Sequence, residues 1–469
     1  MGMSDQVSDK IIDVEVSEEF AGAKLGDARL ERRLLEIVHR LSLKPAESLP
    51  SVFSQESELE AFYRFIRNPK IFWEKLLEPH FSSTCKRASQ STDVIVVHDS
   101  SQLQFSRRQK EQDIGFVSHR SVGLIGHFSL AVSFDGVPKP LGLSHLKTIR
   151  RLKKAKGKKD NEYFKWMEGI EESRLRLGCD AALIHVADRE ADSYCLLADL
   201  VKKHERFVLR MAHDRVIQQC QSKSRLSALL PRLPLICERE VFLSPRAPQK
   251  EASTRKRFPA RRGRKAKLSI SATPIEVVRS DKISTKEYPP TVSLNLVHVY
   301  ELETPSGEPA VDWKLLTTEP IASEEQILKT VDIYRARWLI EEFFKALKTG
   351  CSYEDRQLES FNTVTNTLAL MVPIAWQMLE LRHQSRLQES RCSALSDIQK
   401  NILVKLSKGK LNENSSARDF LYAVARLGGH IKNNGAPGWL VLYRGMRELH
   451  TLERGVLLNL GPPQHVINH

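Results

Sequence analysis

Two short apolar runs, each followed by an aspartate, constrain the fold of this chain more than any other feature. They cover residues 93–98 (DVIVVH) and 181–187 (AALIHVA), and they lead into Asp99 and Asp188. Uninterrupted apolar runs of this length are typical of strands that are buried on both faces of a sheet. Each run therefore predicts a central strand.

Further elements are predicted around these runs. Strands are expected at 127–134, 139–145 and 206–210, and helices at 161–177 and 191–203. The order is three strands, then helix, strand, helix and strand. It predicts an α/β fold in which helices wrap a mixed sheet.

Length and charge narrow the function classes. The 469 residues suggest two to four domains. A net charge of +14, from 72 basic and 58 acidic residues, favours anionic partners, with nucleic acid first and a membrane surface second. The acidic N-terminus does not have the pattern of a signal or transit peptide, and no 18-residue apolar run predicts a membrane span. Seven scattered cysteines without a CxxC pair make a structural zinc site unexpected and suit reduced thiols in the cytoplasm.

The first 75 residues are predicted to be helical and basic. A helix is expected in ARLERRLLEIVHRLS at residues 28–42, and a second over residues 58–66. Two interpretations stay open: a small helical bundle with a solvated basic face, or a head that contacts DNA.

The second half of the chain changes character several times. Residues 212–325 lack helical periodicity in their later part, and strands are predicted at 291–300 and 313–317. The basic stretch RKRFPARRGRKAK, residues 255–267, is predicted to be a loop, either simply solvated or a basic arm held near DNA.

The C-terminal part is predicted to be mostly helical. Helices are expected over 326–380, a polar loop-rich stretch over 381–416, and helices again over 417–460 with breaks at 428–429 and 435–438.

Asp99 and Asp188 are candidate metal ligands because each follows an apolar strand directly. Open sheets place their ligand sites at the carboxyl ends of strands, so two such aspartates converge if their strands are adjacent. The alternative is that each aspartate caps a helix or closes a turn.

The helix predicted over YRARWLIEEFFKALK, residues 334–348, supplies a third carboxylate. At about 100° per residue, Tyr334, Arg337, Glu341 and Lys348 share one arc of roughly 60° beside an apolar stripe. Glu342 points elsewhere, so the geometry selects Glu341. An ordinary solvated face with ion pairs is the alternative interpretation.

Three converging carboxylates suit hard divalent cations. Mg²⁺ prefers oxygen ligands, and two such ions about 3.5–4 Å apart activate the attacking oxygen and stabilise the leaving oxygen of a phosphodiester. Without a cation the three carboxylates would repel one another.

Several motifs together resemble those of bacterial DDE cut-and-paste transposases of the insertion-sequence-four family, which includes the transposase of transposon five. The matching segments run through nearly the whole chain, and the Tyr-x2-Arg-x3-Glu-x6-Lys signature is complete. The motifs are LGDARLERRL at 25–34, YRFIRNP at 63–69, VVHDSSQLQF at 96–105, VADREAD at 186–192, ERFVLR at 205–210, WKLLTTEP at 313–320, DIYRARWLIEEFFKALKTG at 332–350 and ARLGG at 425–429. The lysine-rich run at 147–159 departs from the family pattern.

The resemblance implies a ribonuclease H-like catalytic domain over residues 76–380, with a β-strand insertion at about 212–325. It implies a helical domain over 1–75 that binds transposon ends, and a helical C-terminal domain over 381–469 used for dimerisation. Asp99, Asp188 and Glu341 fall on the catalytic triad positions and would bind two Mg²⁺ ions, for which Mn²⁺ could substitute.

The resemblance also implies a reaction and its partners. A homodimer would hold two transposon ends in a synaptic complex, cut both strands through a hairpin, and join the 3′ ends to target DNA. No membrane partner is expected, and the location would be the bacterial cytoplasm, on the nucleoid.

Further residues match the DNA-contacting positions of the family. Base-flipping would fall to Trp313 and Trp338, although a tryptophan packed in the core is the alternative for either. The expected DNA contacts are Tyr334, Arg337, Lys348, Lys345 and Arg210, with Arg29 and Arg33 in the end-binding domain.

Two other functions keep parts of this description. A domesticated nuclease would retain the fold and the triad without transposition. A DNA-binding inhibitor of transposition would have no need of all three carboxylates, so the intact triad argues against it.

Overall fold

The computed structural model describes residues 14–105, 111–118, 121–151, 162–178, 182–219, 222–243, 259–284, 287–384, 386, 395–431 and 436–460. It confirms the predicted mixture of α and β structure, with 12 strands joined in one sheet and helices packed on it. Among these residues, no helix is both long enough and apolar enough to cross a membrane. Most of the lysine-rich run at 147–159 lies outside the described residues.

The N-terminal region is helical, as predicted. Its five helices are α1 (Val14–Glu18), α2 (Ala28–Leu43), α3 (Leu49–Val52), α4 (Glu56–Arg67) and α5 (Trp73–Ala88). Helix α2 begins at Asp27, whose side chain accepts a hydrogen bond from the Arg29 backbone N–H at 2.9 Å, which satisfies one of the free donors of the first turn. Its apolar stripe is buried, and its arginines lie on the other side.

The strands that the two apolar runs predicted lie side by side at the centre of the sheet. This part comprises β1 (Asp93–Phe105), α6 (Glu111–Ile114), β2 (Phe116–Ser118), β3 (Ser121–Ser133), β4 (Lys139–Ile149), α7 (Glu162–Leu177), β5 (Ala182–Ala187), α8 (Tyr194–Lys202) and β6 (Arg206–Arg210). The strands β1, β5 and β6 are parallel neighbours. Strand β3 pairs antiparallel with both β1 and β4.

The strand-rich segment after residue 211 extends the same sheet. It comprises β7 (Val216–Gln219), β8 (Ser222–Arg225), α9 (Leu226–Leu229), β9 (Cys237–Leu243), β10 (Arg264–Val278), β11 (Thr291–Tyr300) and β12 (Asp312–Thr317). Strand β12 pairs antiparallel with β6, so the segment joins the central strands without a gap in the hydrogen bonding.

The predicted basic loop at 255–267 is wrong in its last part. Strand β10 begins at Arg264, and three of its basic residues pair with acids of adjoining chain: Arg264 with Glu301, Lys265 with Glu240 at 2.9 Å and Lys267 with Glu238 at 2.6 Å. These three basic residues are therefore paired on the sheet and do not belong to a loop or arm. Residues 255–258 lie outside the described residues.

The C-terminal part is mostly helical, as predicted, but the helix expected over 326–380 is interrupted at Arg337 and again between Gly350 and Phe361. The helices are α10 (Glu324–Ala336), α11 (Trp338–Lys345), α12 (Phe361–Gln384), α13 (Asp397–Leu406), α14 (Ala417–Leu427) and α15 (Trp439–Leu460). Helix α13 falls within the stretch predicted to be loop-rich, and Ser396 caps it with reciprocal hydrogen bonds to Gln399. The predicted break at 428–429 is confirmed by the end of α14 at Leu427, and α15 begins at Trp439, directly after the predicted break at 435–438, of which residue 435 lies outside the described residues.

Hydrophobic residues bury both faces of the sheet. One continuous core extends in sequence from Val16 to Trp439 and fills the space between the N-terminal helices, one sheet face and α12. A second core lies on the opposite face under α7 and α8, and a third joins α13, α14 and α15. The N-terminal helices therefore share their core with the sheet.

Helices α14 and α15 touch backbone to backbone at two glycines. A Cβ atom on Gly445 would lie 1.8 Å from the Val424 carbonyl oxygen, and one on Gly428 would lie 1.9 Å from the Val441 carbonyl oxygen. Neither helix can keep this position if a side chain is added at the contact.

We expect Gly445→Ala to lower the free energy of unfolding by about 1–3 kcal/mol, because overpacking pushes the helices apart. The matched control is Gly455→Ala in the same helix, where an added Cβ meets nothing within 4 Å. That change should stabilise by roughly 0.5–1 kcal/mol through helix propensity. Urea unfolding measures both, and equal effects would contradict the close contact.

Candidate active site

Sheet register places Asp99 and Asp188 at the same level. His98 on β1 lies opposite Ala187 on the parallel strand β5. The residues that follow them, Asp99 and Asp188, therefore lie side by side. Asp188 follows the end of β5, as predicted. Asp99 does not follow the end of its strand, because β1 continues to Phe105 through its antiparallel pairing with β3.

Glu341 is carried by a helix that packs on the sheet. It lies on α11, which packs on β1. The prediction of one continuous α-helix from Tyr334 to Lys348 is wrong. Helix α10 ends at Ala336, Arg337 forms the junction, and a π-helical turn spans Ala346–Gly350.

One guanidinium group contacts all three carboxylates. The Arg337 side chain lies 3.3 Å from Asp99 and 4.0 Å from Asp188, and it forms a close ion pair with Glu341. Only 11% of the Arg337 side chain is exposed. The three candidate acids, which are far apart in the sequence, therefore converge on a single buried cation.

The surrounding groups shift the pKa values of the two aspartates in opposite directions. Burial raises the pKa of Asp99 to about 7, although Arg337 opposes the change. Burial would also raise the pKa of Asp188, but Arg337 and Arg210 outweigh it and hold that pKa below its usual value. Burial disfavours the charge of Arg337, yet Tyr334 and the three carboxylates raise the pKa of the guanidinium.

Tyr334 and Arg210 form the wall of the site beside Asp188. The Tyr334 hydroxyl donates to the Asp188 carboxylate at 3.3 Å, and an Arg210 nitrogen lies 3.7 Å from the same oxygen. Arg210 comes to this place because Ala187 on β5 lies opposite Leu209 on β6. Asp188 occupies the N-cap position of the 3₁₀ turn Arg189–Ala191, but its side chain makes no capping hydrogen bond there, so the alternative of a capping role does not explain its carboxylate.

The other predicted residues lie around this centre at different depths. Trp313 is half-buried and packs edge-on against Tyr334, with ring centroids 5.3 Å apart. Trp338 is half-buried as well, and the Lys345 ammonium lies 4.7 Å from its ring centroid. Lys348 donates to the Gln102 carbonyl on β1 at 2.5 Å.

Three further residues point away from this centre: Glu342, which the helix geometry had excluded, and the predicted DNA contacts Arg29 and Arg33. Glu342 is buried and pairs with Arg386 at 2.7 Å and with Arg382 at 3.9 Å, which agrees with the selection of Glu341 over Glu342. Arg29 and Arg33 lie on the exposed side of α2, where they pair with Asp27 and Glu36.

Oxygen donors of this kind suit a hard divalent cation, so the residues fit the implied metal in their chemistry. The burial of Asp99 supports the fit, because a desolvated carboxylate is stabilised by a nearby cation. As placed around Arg337, however, no three His, Cys, Asp or Glu side chains within the described part of the chain are arranged to hold a metal ion.

Sequence reasoning missed a row of buried histidines beneath the carboxylates. The His98 ring forms hydrogen bonds with the Ser129 hydroxyl on β3 at 2.8 Å and with the His185 ring on β5 at 2.9 Å, so His98 connects three strands. Alternation along β1 places His98 on the sheet face opposite Asp99. The signal was present in the sequence, since a histidine directly precedes Asp99 and another lies three residues before Asp188.

Two family models match this chain. One, described as transposase DNA-binding, covers residues 16–71, and the other, described as transposase DDE domain, covers residues 146–376. Together they cover more than half of the chain. The chain belongs to the DDE transposases. This transposase is therefore a metal-dependent enzyme that cuts and joins DNA, and its DDE domain implies a ribonuclease H-like fold.

One solved structure is a distant neighbour of this transposase. It is a piggyBac transposase in a cryo-EM structure of a synaptic complex with hairpin DNA. The match covers 94% of this chain and 76% of that chain, at 11% sequence identity and a TM-score of 0.34.

Because buried histidines are held in the neutral form, we expect the transposase to lose stability in mild acid. Burial lowers the pKa of His145, which lies on β4 near the histidine row, from 6.5 to about 4. Below pH 6.5, His145 therefore binds a proton in the unfolded chain that it does not bind in the folded chain. The contribution of neutral His145 to the free energy of unfolding is complete above pH 6.5 and is lost as the pH falls towards about 4.

We expect the free energy of unfolding to fall between about pH 7 and about pH 5, by at most about 1.4 kcal/mol per pH unit for each such histidine. Urea unfolding at the two pH values measures the loss, and His145→Gln should reduce it. A pH dependence that is the same in the variant would show that His145 is not held neutral.

Proposed function

We propose that this transposase binds the terminal inverted repeats of its transposon, cuts both strands at each end through a hairpin, and joins the 3′ ends to target DNA. The observation that supports this proposal most directly is the convergence of Asp99, Asp188 and Glu341 around Arg337. Carboxylates on two neighbouring strands and one helix can meet divalent cations at one point while the sheet keeps them in register.

Asp99, Asp188 and Glu341 would hold two Mg²⁺ ions, with Mn²⁺ as a substitute. When bound, such ions activate the attacking oxygen and neutralise charge on the leaving oxygen. The role of the protein is to keep three acidic side chains together in a half-buried site. Side-chain exposures of 19% for Asp99, 25% for Asp188 and 32% for Glu341 leave each acid partly accessible.

The basic and aromatic residues around the carboxylates would bind the DNA near the cut. Arg210 and Arg337 present guanidinium groups, which bind phosphates in a forked geometry, and Tyr334 adds a hydroxyl donor. Lys345 and Lys348 supply further positive charge on the turn that follows Glu341. Because Arg337 already faces the carboxylates, it would hold a phosphate at the same place where the metals act.

Trp313 and Trp338 would hold the base that a hairpin turns out of the stack. Extruding a base costs a few kcal/mol, and stacking on an aromatic ring offsets part of that cost. Trp338 immediately follows Arg337 and is half-buried, so one face of the ring can remain available. Trp313 is supported by Tyr334 from behind.

The remaining parts of the chain would serve end binding and assembly. We propose residues 1–75 as the end-binding domain, with Arg29 and Arg33 on its exposed helix face as DNA contacts. Residues 76–380 would form the catalytic domain with its insertion at about 212–325, and residues 381–469 would support a homodimer in the synaptic complex. The location would be the bacterial cytoplasm, on the nucleoid.

The experiment incubates the protein and Mg²⁺ with DNA that carries the inverted repeats flanking its gene. Hairpin ends and joined products are expected. Asp99→Asn, Asp188→Ala and Glu341→Gln should each slow cutting by roughly 100-fold or more, because each removes a carboxylate that would hold the metal ions that stabilise the transition state. Binding to the ends should be retained, as measured by electrophoretic mobility shift.

Glu342→Gln is the matched control. It removes the neighbouring carboxylate of the same helix, which pairs with Arg386 outside the site. Cutting per folded molecule should persist in this variant. Nicks without hairpins or joined products would indicate a nuclease, and binding without cutting would indicate an inhibitor of transposition. Either result would contradict the proposal.

A further inference from the structure

A short segment after the helix of Glu341 contacts three parts of the molecule. This junction segment, Cys351–Arg356, follows the π-helical turn and contains the 3₁₀ turn Tyr353–Asp355. Its chain reverses at Ser352, which has a φ of 45° and therefore adopts the left-handed conformation that residues with a side chain rarely occupy. Such a conformation persists only where the surroundings hold it in place.

Arg356 joins the junction segment to the N-terminal helices. Its guanidinium donates to the carbonyls of Pro45 and Glu47, in the loop that connects α2 to α3, and to the carbonyl of Cys351 at 3.1 Å. Only 3% of Arg356 is exposed. A buried guanidinium without hydrogen bonds is costly, so these contacts hold the loop and the junction segment together. Residues 45 and 47 lie inside the range matched by the transposase DNA-binding family.

The same segment is attached to β1, the strand of Asp99. The Glu354 carboxylate accepts the Gln104 backbone N–H at 2.8 Å and lies 3.5 Å from the Lys348 ammonium. The buried ring of Tyr353 packs edge-on against Phe105, with centroids 5.5 Å apart. The junction segment therefore touches the end of β1, the strand that carries Asp99. It also follows directly after the helix and π-helical turn that contain Glu341 and Lys348.

Two other buried contacts tie the N-terminal helices to the rest of the molecule. The Asn366 side chain on α12 donates to the carbonyls of Ile66 and Ile71 at 3.0 Å and 3.1 Å. Glu19 pairs with His80 and Arg87 on α5, and Arg87 lies over the Trp376 ring of α12 at 4.1 Å. Displacement of the DNA-binding helices would therefore break several buried hydrogen bonds at once.

We propose that Arg356 is a positioning residue that couples DNA bound to the N-terminal helices to the placement of Asp99 and Glu341. This inference rests on the proposed function, because it takes the DNA bound to the N-terminal helices to be a transposon end. In this arrangement, a DNA end that stabilises the loop at residues 45–47 also stabilises the junction segment. The catalytic carboxylates are then held most firmly when an end is bound.

The test measures amide hydrogen exchange in the full-length protein, with and without end DNA and in the absence of divalent metal. In the wild-type protein, DNA is expected to slow exchange in the N-terminal helices and also in residues 351–356. In Arg356→Ala, DNA should still slow exchange in the N-terminal helices but should no longer affect residues 351–356. This readout does not depend on cutting.

Cutting rates measured under single-turnover conditions, with all ends bound, provide the second readout. We expect Arg356→Ala to reduce the rate at least about tenfold while the Kd for end DNA changes less than about threefold, a loss comparable to that of other supporting contacts. Arg356→Lys should restore part of the rate, because the ammonium keeps the charge but loses the fork of donors. The matched control is Arg264→Lys, which alters a buried arginine paired with Glu301 in the insertion and should change neither readout.

Arg356→Ala could fail to fold, and Glu354→Ala then replaces it. Glu354 has 28% of its side chain exposed and anchors the other end of the junction segment, so its loss should also uncouple exchange at 351–356 from DNA binding. Equal losses of end binding and cutting, or exchange protection that reaches 351–356 in both variants, would overturn the inference. If the wild-type protein binds ends without cutting them, the proposed function fails while the exchange coupling can still be observed.

Discussion

The contact of Arg337 with three carboxylates is the interaction on which the rest of this site depends. Like charges at this spacing repel, and burial makes the repulsion stronger because the local dielectric constant is low. A single guanidinium with donors in a fixed plane contacts all three acids, and Arg210 adds a second positive charge beside Asp188. Asp99, Asp188 and Glu341 can therefore occupy one half-buried place in the folded protein, at the position where divalent cations would act.

Two separate features bring the charges to this point. Parallel pairing of β1 with β5 and of β5 with β6 fixes Asp99, Asp188 and Arg210 at one level of the sheet. The break between α10 and α11 then brings Arg337 and Glu341 down onto that level from above. On the opposite face, His98 hydrogen-bonds to groups on both neighbouring strands. The sheet is thus linked by polar side chains on both faces where the acids lie.

Local sequence patterns predicted the strands and the helix that carry the acids. They failed where contacts between distant parts of the chain determine the local structure. The runs before Asp99 and Asp188 predicted two central strands, because burial on both faces leaves a continuous apolar pattern. Periodicity did not predict the break at Arg337, a residue whose side chain contacts Asp99, 238 residues away in sequence. The start of β10 at Arg264 was also missed, because Glu301, the acid that pairs with Arg264, lies far along the sequence, directly after strand β11.

The junction segment could not be predicted at all. Arg356 binds backbone carbonyls of Pro45 and Glu47, and carbonyl groups leave no trace in an amino-acid pattern. By contrast, the choice of Glu341 over Glu342 came from helix geometry alone, because adjacent residues of a helix point about 100° apart, and the Glu342 side chain pairs with Arg386 instead.

The most direct test of the central claim is a crystal structure of this transposase soaked with Mn²⁺, in which anomalous scattering locates the ions. We predict anomalous peaks between the carboxylates of Asp99, Asp188 and Glu341, with the Arg337 guanidinium displaced from its position among them. Peaks at other carboxylates, or a structure in which Glu341 stays away from both aspartates, would contradict the account.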